Sequence, residues 1–554
     1  MKRALVILLS IMIMVGMVAC TTAPTTTGSA GSTTGSETTK DTANSTTGSN
    51  AGDEELTVKV LGYDTEQLWD NRENHLVWAE FEKLRETFNL TIEYEVVAEE
   101  QYQQIIQTRT SAAMDLPDVA SLQGLDLATI LNLGNKGVLL DIRALVDANS
   151  NGNVNSFSGK YFKPMWNAVT SPNGKAYWIP GSQLITYRGE DFHSNLTAMI
   201  RRDWLTKLNL EMPTTLDEFK TVAKAFQEKD ANENGQPDEM VLFDPKSFSY
   251  IAPTFGLPAD IVMVDVYDQK AKSPWLMKDE LVAYITYMNG LVNDGVIDTD
   301  ALDKSDEIKV QKQQNNTIST VFDWALGTWH DAYVAEFEGF YEPTMLGLTE
   351  GDIPRTIAED SYAALVKYGV TNAAKGNEKA VATFFDMLFT EEYAKLCFYG
   401  IEGTSHTVNE DGTIVFHPKF KDKDFYSVQS TGDYIWGGMF PALHLSTWES
   451  YILSLEIDRP DLRGFSEEYC IGQEYWYLNE SFLGVPTDEE TAALARIQND
   501  IQTFSEETIT KLILGQYNVS DIDQYIATIK TLGLEEYVQI YQNRHDRYVA
   551  ASNG

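Results

Sequence analysis

Cysteine is scarce in this chain, with three cysteines among 554 residues, at positions 20, 397 and 470. So few cysteines exclude a fold held together by a disulfide framework, and without a CxxC spacing they offer no zinc-site pattern. Cys397 lies between Leu396 and Phe398, so we expect a buried thiol there. The sequence leaves open whether Cys397 and Cys470 pair.

Positive charge is also scarce, because 42 Lys and Arg stand against 82 Asp and Glu, for a formal net charge of −40. A body of this charge repels phosphate backbones and anionic lipid headgroups. We therefore expect no nucleic-acid partner.

Catalytic motifs are missing from the sequence that follows the N-terminal region. It contains no HExxH, phosphate-binding loop, GxGxxG after a strand or GxSxG nucleophile elbow. His406 and His417 lie near Glu402 and Glu410, but histidines in loops are more often solvated than catalytic. We expect a binding protein rather than an enzyme.

No apolar run reaches the length of about 20 residues that a membrane-spanning helix needs. The longest, residues 4–19, follows Lys2 and Arg3 and ends at Cys20, which is typical of a secretory signal. A small residue before Cys20 resembles a lipobox, in which the cysteine becomes the lipid-modified N-terminus. We predict a lipoprotein signal peptide over residues 1–20; an ordinary signal cleaved near Ala19 is the alternative.

The segment after this signal, residues 21–54, is rich in Thr, Ser, Gly, Ala and Asn. This composition has too little apolar surface to fold, so it predicts a flexible tether. A coil of this length spans about 30 Å. The tether would hold the body just outside the cell membrane.

The body opens with a strand, a helix and a second strand, at residues 56–63, 78–88 and 91–97. This βαβ order predicts a parallel sheet that binds its ligand at the carboxyl ends of the strands. Tyr63 and Asp64 end the first strand, and Gln123 follows a short apolar segment at residues 120–122.

Further periodic segments predict elements in the rest of the body. We expect helices over residues 281–294, 377–398 and 492–512, with the first ended by Gly295. Residues 317–324 and 362–370 have strand patterns, and the first of these ends at Trp324.

A capping box, Thr215 with Glu218, predicts the start of a helix. Apolar residues recur at helical spacing from Leu216 to Phe226, so one face of this helix should lie on a core. The helix runs directly into an Asp- and Asn-rich loop.

That loop has the spacing of an EF-hand, with oxygen-bearing side chains at positions one, three, five and nine and Gly235 at position six. Val241 occupies position twelve, where a bidentate Glu is usual, so Glu239 or a distant carboxylate would have to replace it. An Asx turn that bonds only its own backbone is the alternative. We predict a structural Ca2+ held by Asp230, Asn232, Asn234, Gln236, Asp238 and Glu239.

Several segments together resemble one protein family: RDWL at 202–205, PT at 213–214, EF at 218–219, the loop at 230–239, GKAYWIP at 174–180, NAA at 372–374 and YGIEG at 399–403. The family is the carbohydrate-associated, family 1-like group of extracellular solute-binding lipoproteins of bacterial ABC importers. One departure is Asn209-Leu210, where the family usually has Gly-Leu.

This resemblance implies an α/β, two-lobed, periplasmic-binding-protein-like fold with crossing strands. The first lobe would comprise residues 55–180 and 360–400, and the second residues 181–359 and 401–554, with extra helices at the C-terminus. It further implies a monomer, lipid-anchored outside the membrane, that captures an oligosaccharide between its lobes and delivers it to an ABC permease.

Two other functions remain open at this stage. A protein of the same fold could bind a peptide or signal to a membrane sensor kinase. A secreted glycan hydrolase or lyase is a third hypothesis.

Binding a sugar requires aromatic faces for its rings and amide, carboxylate or guanidinium groups for its hydroxyls. Trp324 could equally be a core residue at a strand end. The residues that we predict to contact the ligand are Tyr63, Asp64, Trp69, Gln123, Trp178, Arg188, Trp324 and Trp436.

Overall fold

Three larger sheets with helices packed around them make up the described part of the chain. The computed structural model describes residues 55–64, 69–74, 76–161, 165–181, 186–187, 190–191, 196–242, 245–299, 311–312, 314–324, 341–352, 357–358, 366–409, 414–416, 477–478 and 483–552. The signal peptide with Cys20 and the tether at 21–54 lie outside these residues, as does Cys470. Glu54–Gly554 forms one compact unit by itself.

The strands are short apart from the first two. In chain order they are β1 Leu56–Asp64, β2 Leu90–Ala98, β3 Val119–Ser121, β4 Ile179–Gly181, β5 Thr186–Tyr187, β6 Glu190–Asp191, β7 Leu196–Arg201, β8 Met240–Leu242, β9 Met263–Asp265, β10 Lys270–Lys272, β11 Ile297–Asp298, β12 Ile318–Trp324, β13 Tyr341–Thr344, β14 Ile357–Ala358, β15 Val366–Val370, β16 His406–Val408, β17 Ile414–Phe416 and β18 Tyr477–Leu478.

The helices differ in length, and the longest lies near the C-terminus. They are α1 Leu76–Thr87, α2 Glu99–Ala112, α3 Leu127–Asn135, α4 Ile142–Asn149, α5 Asn153–Tyr161, α6 Met165–Val169, α7 Arg202–Leu208, α8 Leu216–Glu228, α9 Pro245–Thr254, α10 Lys278–Asn293, α11 Glu378–Leu388, α12 Glu391–Tyr399, α13 Asp488–Ile513, α14 Ile522–Thr531 and α15 Leu534–Ser552. Short 3-10 turns occur at Trp69–Asn74, Pro274–Leu276, Asn372–Ala374 and Val519–Asp521.

The first sheet has the strand order β2-β1-β3-β15-β4. Strands β1, β2 and β3 run parallel, so their carboxyl ends meet at one edge of the sheet. Strand β15 returns antiparallel between β3 and β4. The sheet and its helices enclose a core that includes Val60, Phe81 and Phe385, and we call this assembly the first lobe.

The second sheet has the order β11-β8-β12-β7-β13. Its central strand β12 is parallel to β8 and antiparallel to β7. A separate core covers it, with Phe226 from α8 and Tyr284 from α10. This core, its sheet and the smaller sheet β10-β9-β18-β14 form the second lobe.

The C-terminal helices belong mainly to the second lobe. Ile501 and Leu512 of α13, Ile529 of α14 and Tyr541 of α15 all lie in its core. The Trp275 indole N–H donates to Ser505 Oγ at 2.8 Å, which ties α13 to the rest of the lobe. The extra C-terminal helices expected from the sequence are therefore present.

The chain also passes between the two cores next to these helices. Leu483 lies in the second core and Val485 in the first. Between them, the Gly484 backbone N–H donates to the Arg544 carbonyl at 3.1 Å, and Arg544 Nε donates to the Gly484 carbonyl at 2.9 Å. Helix α15 thus holds this crossing point in place.

One expected helix is wrong, because residues 377–398 form two helices, α11 and α12. Phe389 leaves helical geometry, and the Thr390 hydroxyl caps the second helix by accepting the Tyr393 N–H at 3.2 Å. The apolar spacing continues through the break, which is why periodicity alone did not reveal it. None of the described helices is long and apolar enough to cross a membrane.

Candidate functional site

The carboxyl edge of the first sheet brings Tyr63 and Gln123 to the same side of the first lobe. Tyr63 is half-buried near the end of β1, and its ring centroid lies 5.0 Å from that of Tyr102 in α2. The Tyr102 hydroxyl donates to the Ser121 carbonyl at 2.7 Å. Burial raises the pKa of Tyr102, so it remains a neutral donor. The edge therefore presents a supported aromatic ring.

The loop after β3 exposes the Gln123 side chain. The Gln123 backbone N–H donates to Ser121 Oγ at 3.2 Å. Gly124 follows with φ of 82°, and its carbonyl accepts an amide N–H from Gln107 at 3.2 Å and another from Gln103 at 3.5 Å. A Cβ at Gly124 would approach Gln103 Cγ to 2.7 Å, so this position requires glycine.

Sequence reasoning missed the supporting residues Tyr102, Gln103 and Gln107. The signal was present, since Gln103 and Gln107 are spaced i and i+4 and so share one face of a helix that follows a ligand-edge strand. A pair of amides on that face can brace a neighbouring loop.

Trp69 does not lie at this edge of the sheet. Its ring packs against Trp78 at 5.7 Å and Tyr94 at 5.2 Å, and the Arg72 guanidinium lies 4.0 Å from its centroid. Tyr94 pairs with Val60 in the middle of β2, well before the carboxyl end of that strand. The structure gives Trp69 a packing role.

Trp178 is likewise a packing residue. Only 2% of its surface is exposed, and it belongs to the first core. It directly precedes Ile179, the first residue of β4, which pairs with Tyr368. Trp178 therefore lies at the start of β4 and not at its carboxyl end. Because the ring is buried, neither of its faces is accessible to a sugar.

The other predicted ligand residues are only partly described. Asp64 is the last residue of β1, and Trp324 is the last residue of β12, where it pairs with Leu196. Each therefore lies at a strand end, although their side chains are not described. Arg188 and Trp436 lie outside the described residues.

His406 was expected to be solvated, and this expectation is wrong. The residue is 6% exposed, in the first position of β16, and its Nδ1 lies 3.4 Å from Ser405 Oγ. In the antiparallel pair β16 and β17, it lies opposite Phe416.

The loop from Asp230 to Glu239 begins where α8 ends. Its oxygens bond within the loop: Asp230 Oδ2 accepts the Gly235 N–H at 3.0 Å, and Asn234 Oδ1 accepts the Gln236 N–H at 2.7 Å. Asn232 Nδ2 donates to Asp238 Oδ1 at 2.8 Å. Gly235 has φ of 79°, as a sharp turn at position six requires.

Glu239, ten residues into the loop pattern, is fully buried at 0% exposure. Its Oε1 accepts the Asn232 N–H at 2.9 Å, whereas its Oε2 has no hydrogen-bond partner among the described residues. Asp230 Oδ1 is also buried and has no hydrogen-bond partner among the described residues. Burial raises the pKa of the Glu239 carboxyl, and the charges of Asp238 and Asp230 raise it further.

These two orphaned oxygens fit a cation, since a buried carboxylate oxygen without a donor is costly unless a positive charge satisfies it. Val241 lies in β8, where an EF-hand usually has a bidentate Glu, so in a cation site Glu239 would have to replace that carboxylate. In the described part of the chain, no group of three His, Cys, Asp or Glu could hold a metal unaided. Amide and backbone oxygens would complete the set.

Comparison with known proteins agrees with this architecture. The chain is similar to the fructooligosaccharide ABC transporter substrate-binding protein FusA of Streptococcus pneumoniae, with 27% identity over 217 residues, 38% of this chain and 40% of FusA. It is similar to the polygalacturonan/rhamnogalacturonan-binding protein YtcQ of Bacillus subtilis, with 26% identity over 317 residues, 55% of this chain and 58% of YtcQ. Each match thus spans less than two thirds of the relative. No protein-family model matches the chain.

Solved structures show the same fold over nearly the whole chain. An HMO binding, ABC-transporter associated solute-binding protein from Bifidobacterium longum infantis superposes with a TM-score of 0.66 at 21% identity, covering 90% of this chain and 99% of that one. An EF-hand mutant of FusA in complex with fructo-nystose gives 0.65 at 18% identity, with 89% and 100% covered. The chain has the two-lobed fold of solute-binding proteins, and the relatives expected from the sequence are confirmed.

Proposed function

We propose that this protein is the extracellular solute-binding component of an ABC importer and that it captures an oligosaccharide between its two lobes. The observation that carries the proposal is the shared two-lobed fold, together with relatives whose names specify fructooligosaccharide and polygalacturonan binding. The relatives are binding proteins and not enzymes, which supports a role without catalysis.

At the first lobe, Tyr63 would stack on a sugar ring and Gln123 would bond its hydroxyls. An aromatic ring supported from behind and an exposed amide on a braced loop are the groups that such binding needs. Asp64, Arg188, Trp324 and Trp436 remain proposed contacts. Trp69 and Trp178 leave the set, because both are occupied in packing.

Binding would favour the closed form through contacts that the sugar makes with both lobes at once. A permease would then recognise the closed form of a monomeric binding protein. Lipidation at Cys20, followed by the tether at 21–54, would hold the protein at the outer face of the cell membrane.

The loop from Asp230 to Glu239 would hold a structural Ca2+ through Asp230, Asn232, Asn234, Gln236, Asp238 and Glu239. The orphaned oxygens of Asp230 and Glu239 support this assignment. The ion would supply positive charge that offsets the clustered carboxylates and joins the end of α8 to the start of β8.

A thermal-shift screen of Glu54–Gly554 against neutral oligosaccharides, acidic oligosaccharides and peptides tests the function. A ligand at about 100 times its Kd stabilises a protein by about 2.7 kcal/mol. We expect a shift with one glycan class, reduced by Gln123→Ala and by Tyr63→Ala. The control Gln498→Ala, an exposed amide on α13, should keep the full shift. Shifts with peptides alone would replace the sugar by a peptide.

A further inference from the structure

Asn316 connects the loop from Asp230 to Glu239 with the interior of the second lobe. Its backbone carbonyl accepts the Asn232 Nδ2–H at 3.1 Å, and its side-chain Oδ1 accepts the Arg201 Nη1–H at 2.6 Å. Asn316 adopts φ of 56°, the left-handed region that asparagine tolerates better than most residues. One residue therefore contacts both the loop and a buried arginine.

Arg201 is the last residue of β7 and is 5% exposed. Its guanidinium donates twice to Asp203, at 2.7 and 2.6 Å, and lies 4.1 Å from the centroid of the Trp204 ring. A guanidinium held by a carboxylate, an amide and an aromatic face has little freedom to reorient. Its hydrogen bond with Asn316 is consequently rigid at the Arg201 end.

Asn316 also lies just before β12. The Thr317 backbone carbonyl accepts the Met240 N–H at 2.8 Å. This hydrogen bond joins the residue after the loop to the segment that contains Asn316. Strand β12 begins at Ile318 and runs beside β7 to Trp324, which pairs with Leu196. The contacts of Asn316 thus lie where β12 begins and β7 ends, and Trp324 and Leu196 lie at the opposite ends of these two strands.

We propose that Asn316 and Arg201 form a relay through which a cation in the loop stabilises β7 and β12. This inference depends on the proposed Ca2+ site. A side-chain oxygen of Asn232 committed to a cation leaves Nδ2 to donate to Asn316, so one amide serves both the ion and the relay. Occupancy of the loop then affects the order of β7 and of β12, which ends at the proposed ligand contact Trp324.

Hydrogen exchange of Glu54–Gly554, measured with Ca2+ and with a chelator, tests the relay. In the unsubstituted protein, Ca2+ should slow the exchange of amides in both the loop and the strands β7 and β12, by about fivefold or more. Asn316→Gly keeps the backbone conformation but removes the side-chain acceptor. It should retain Ca2+ binding by calorimetry and lose the slowing in β7.

Asn209→Gly is the matched control, because Asn209 is exposed, also has a positive φ of 54° and lies at the end of α7. It should behave as the unsubstituted protein does. Arg201→Lys, which keeps the charge without the fork, should repeat the effect of Asn316→Gly. Slowing of β7 that survives in Asn316→Gly overturns the relay while leaving the Ca2+ site intact. No heat of Ca2+ binding to the unsubstituted protein overturns the site and the relay together.

Discussion

Each lobe contains a fully buried carboxylate, and the two differ in how they are satisfied. Asp386 in the first lobe accepts the Ser150 hydroxyl at 2.5 Å, the Asn151 N–H and the Val154 N–H at 3.2 Å, so both of its oxygens have donors. Glu239 in the second lobe has a donor on Oε1 and none described on Oε2.

The difference separates a carboxylate that is satisfied within the chain from one that we propose as a cation ligand. Asp386 caps the segment that leads into α5 and is complete within the protein chain. Glu239 is incomplete without a further positive partner, because a buried charge requires compensation. The comparison predicts that a cation should affect the second lobe and leave the role of Asp386 unchanged.

The largest effect is expected for Asp386→Ala. It leaves three donors without an acceptor, one of them the buried Val154 N–H, which should lower the free energy of unfolding by about 3 kcal/mol. Urea unfolding measures the loss, with and without Ca2+. Equal losses in both conditions are expected, whereas a loss that appears only with Ca2+ would break the contrast between the two carboxylates.

Glu239→Gln should remove the response to Ca2+. The unsubstituted protein with Ca2+ at about 100 times its Kd should gain about 2.7 kcal/mol of stability. The variant should lose that gain, because a neutral amide is a weaker ligand than a carboxylate. Without Ca2+ it should be at least as stable as the unsubstituted protein, since it removes a buried charge. Thermal melts follow both effects, and an undiminished gain in the variant would contradict the role of Glu239.

The stability of the Ca2+-free protein should depend on pH through Glu239. The pKa of Glu239 is raised above 4.5 in the folded state. Folding is therefore accompanied by proton uptake between pH 4.5 and this raised pKa. The contribution of Glu239 to stability is therefore greatest below pH 4.5 and is lost as the pH rises through the raised pKa. The difference in unfolding free energy between the unsubstituted protein and Glu239→Gln should therefore fall as the pH rises through this range. A flat difference would argue against the raised pKa.

A smaller effect is expected at the capping box that begins α8. Glu218 accepts the Thr214 and Thr215 N–H groups at 2.9 and 3.2 Å, and these hydrogen bonds lower its pKa. Thr215→Ala removes the reciprocal bond and should cost about 1 kcal/mol by urea unfolding. Thr215→Ser keeps the hydroxyl and should cost less; equal losses would assign the effect to packing of the Thr methyl group.

Local patterns predicted much of this fold. The opening β1-α1-β2 unit, α8 with its capping box, α10 and β12 all follow from spacing and capping residues close together in the chain. The resemblance supplied the two-lobed architecture. The packing of Trp69 and Trp178 in the first lobe was not predicted, because strand-end proximity does not specify which way a ring packs.

Long-range partners could not be predicted from the sequence. Asp386 and Ser150 are 236 residues apart, and Arg201 and Asn316 are 115 residues apart. No local periodicity links such residues, so their hydrogen bonds emerge only once the sheets have assembled. The burial of Glu239, which distinguishes it from the other acidic residues of the loop, is likewise a property of the folded lobe.

Isothermal titration calorimetry of Glu54–Gly554 with neutral oligosaccharides, acidic oligosaccharides and short peptides tests whether the protein captures a sugar. We predict saturable binding of one oligosaccharide per protein for one glycan class, with the glycan recovered intact afterwards. Binding to peptides alone, or cleavage of the glycan during the titration, would contradict the proposal that the protein captures an oligosaccharide without catalysis.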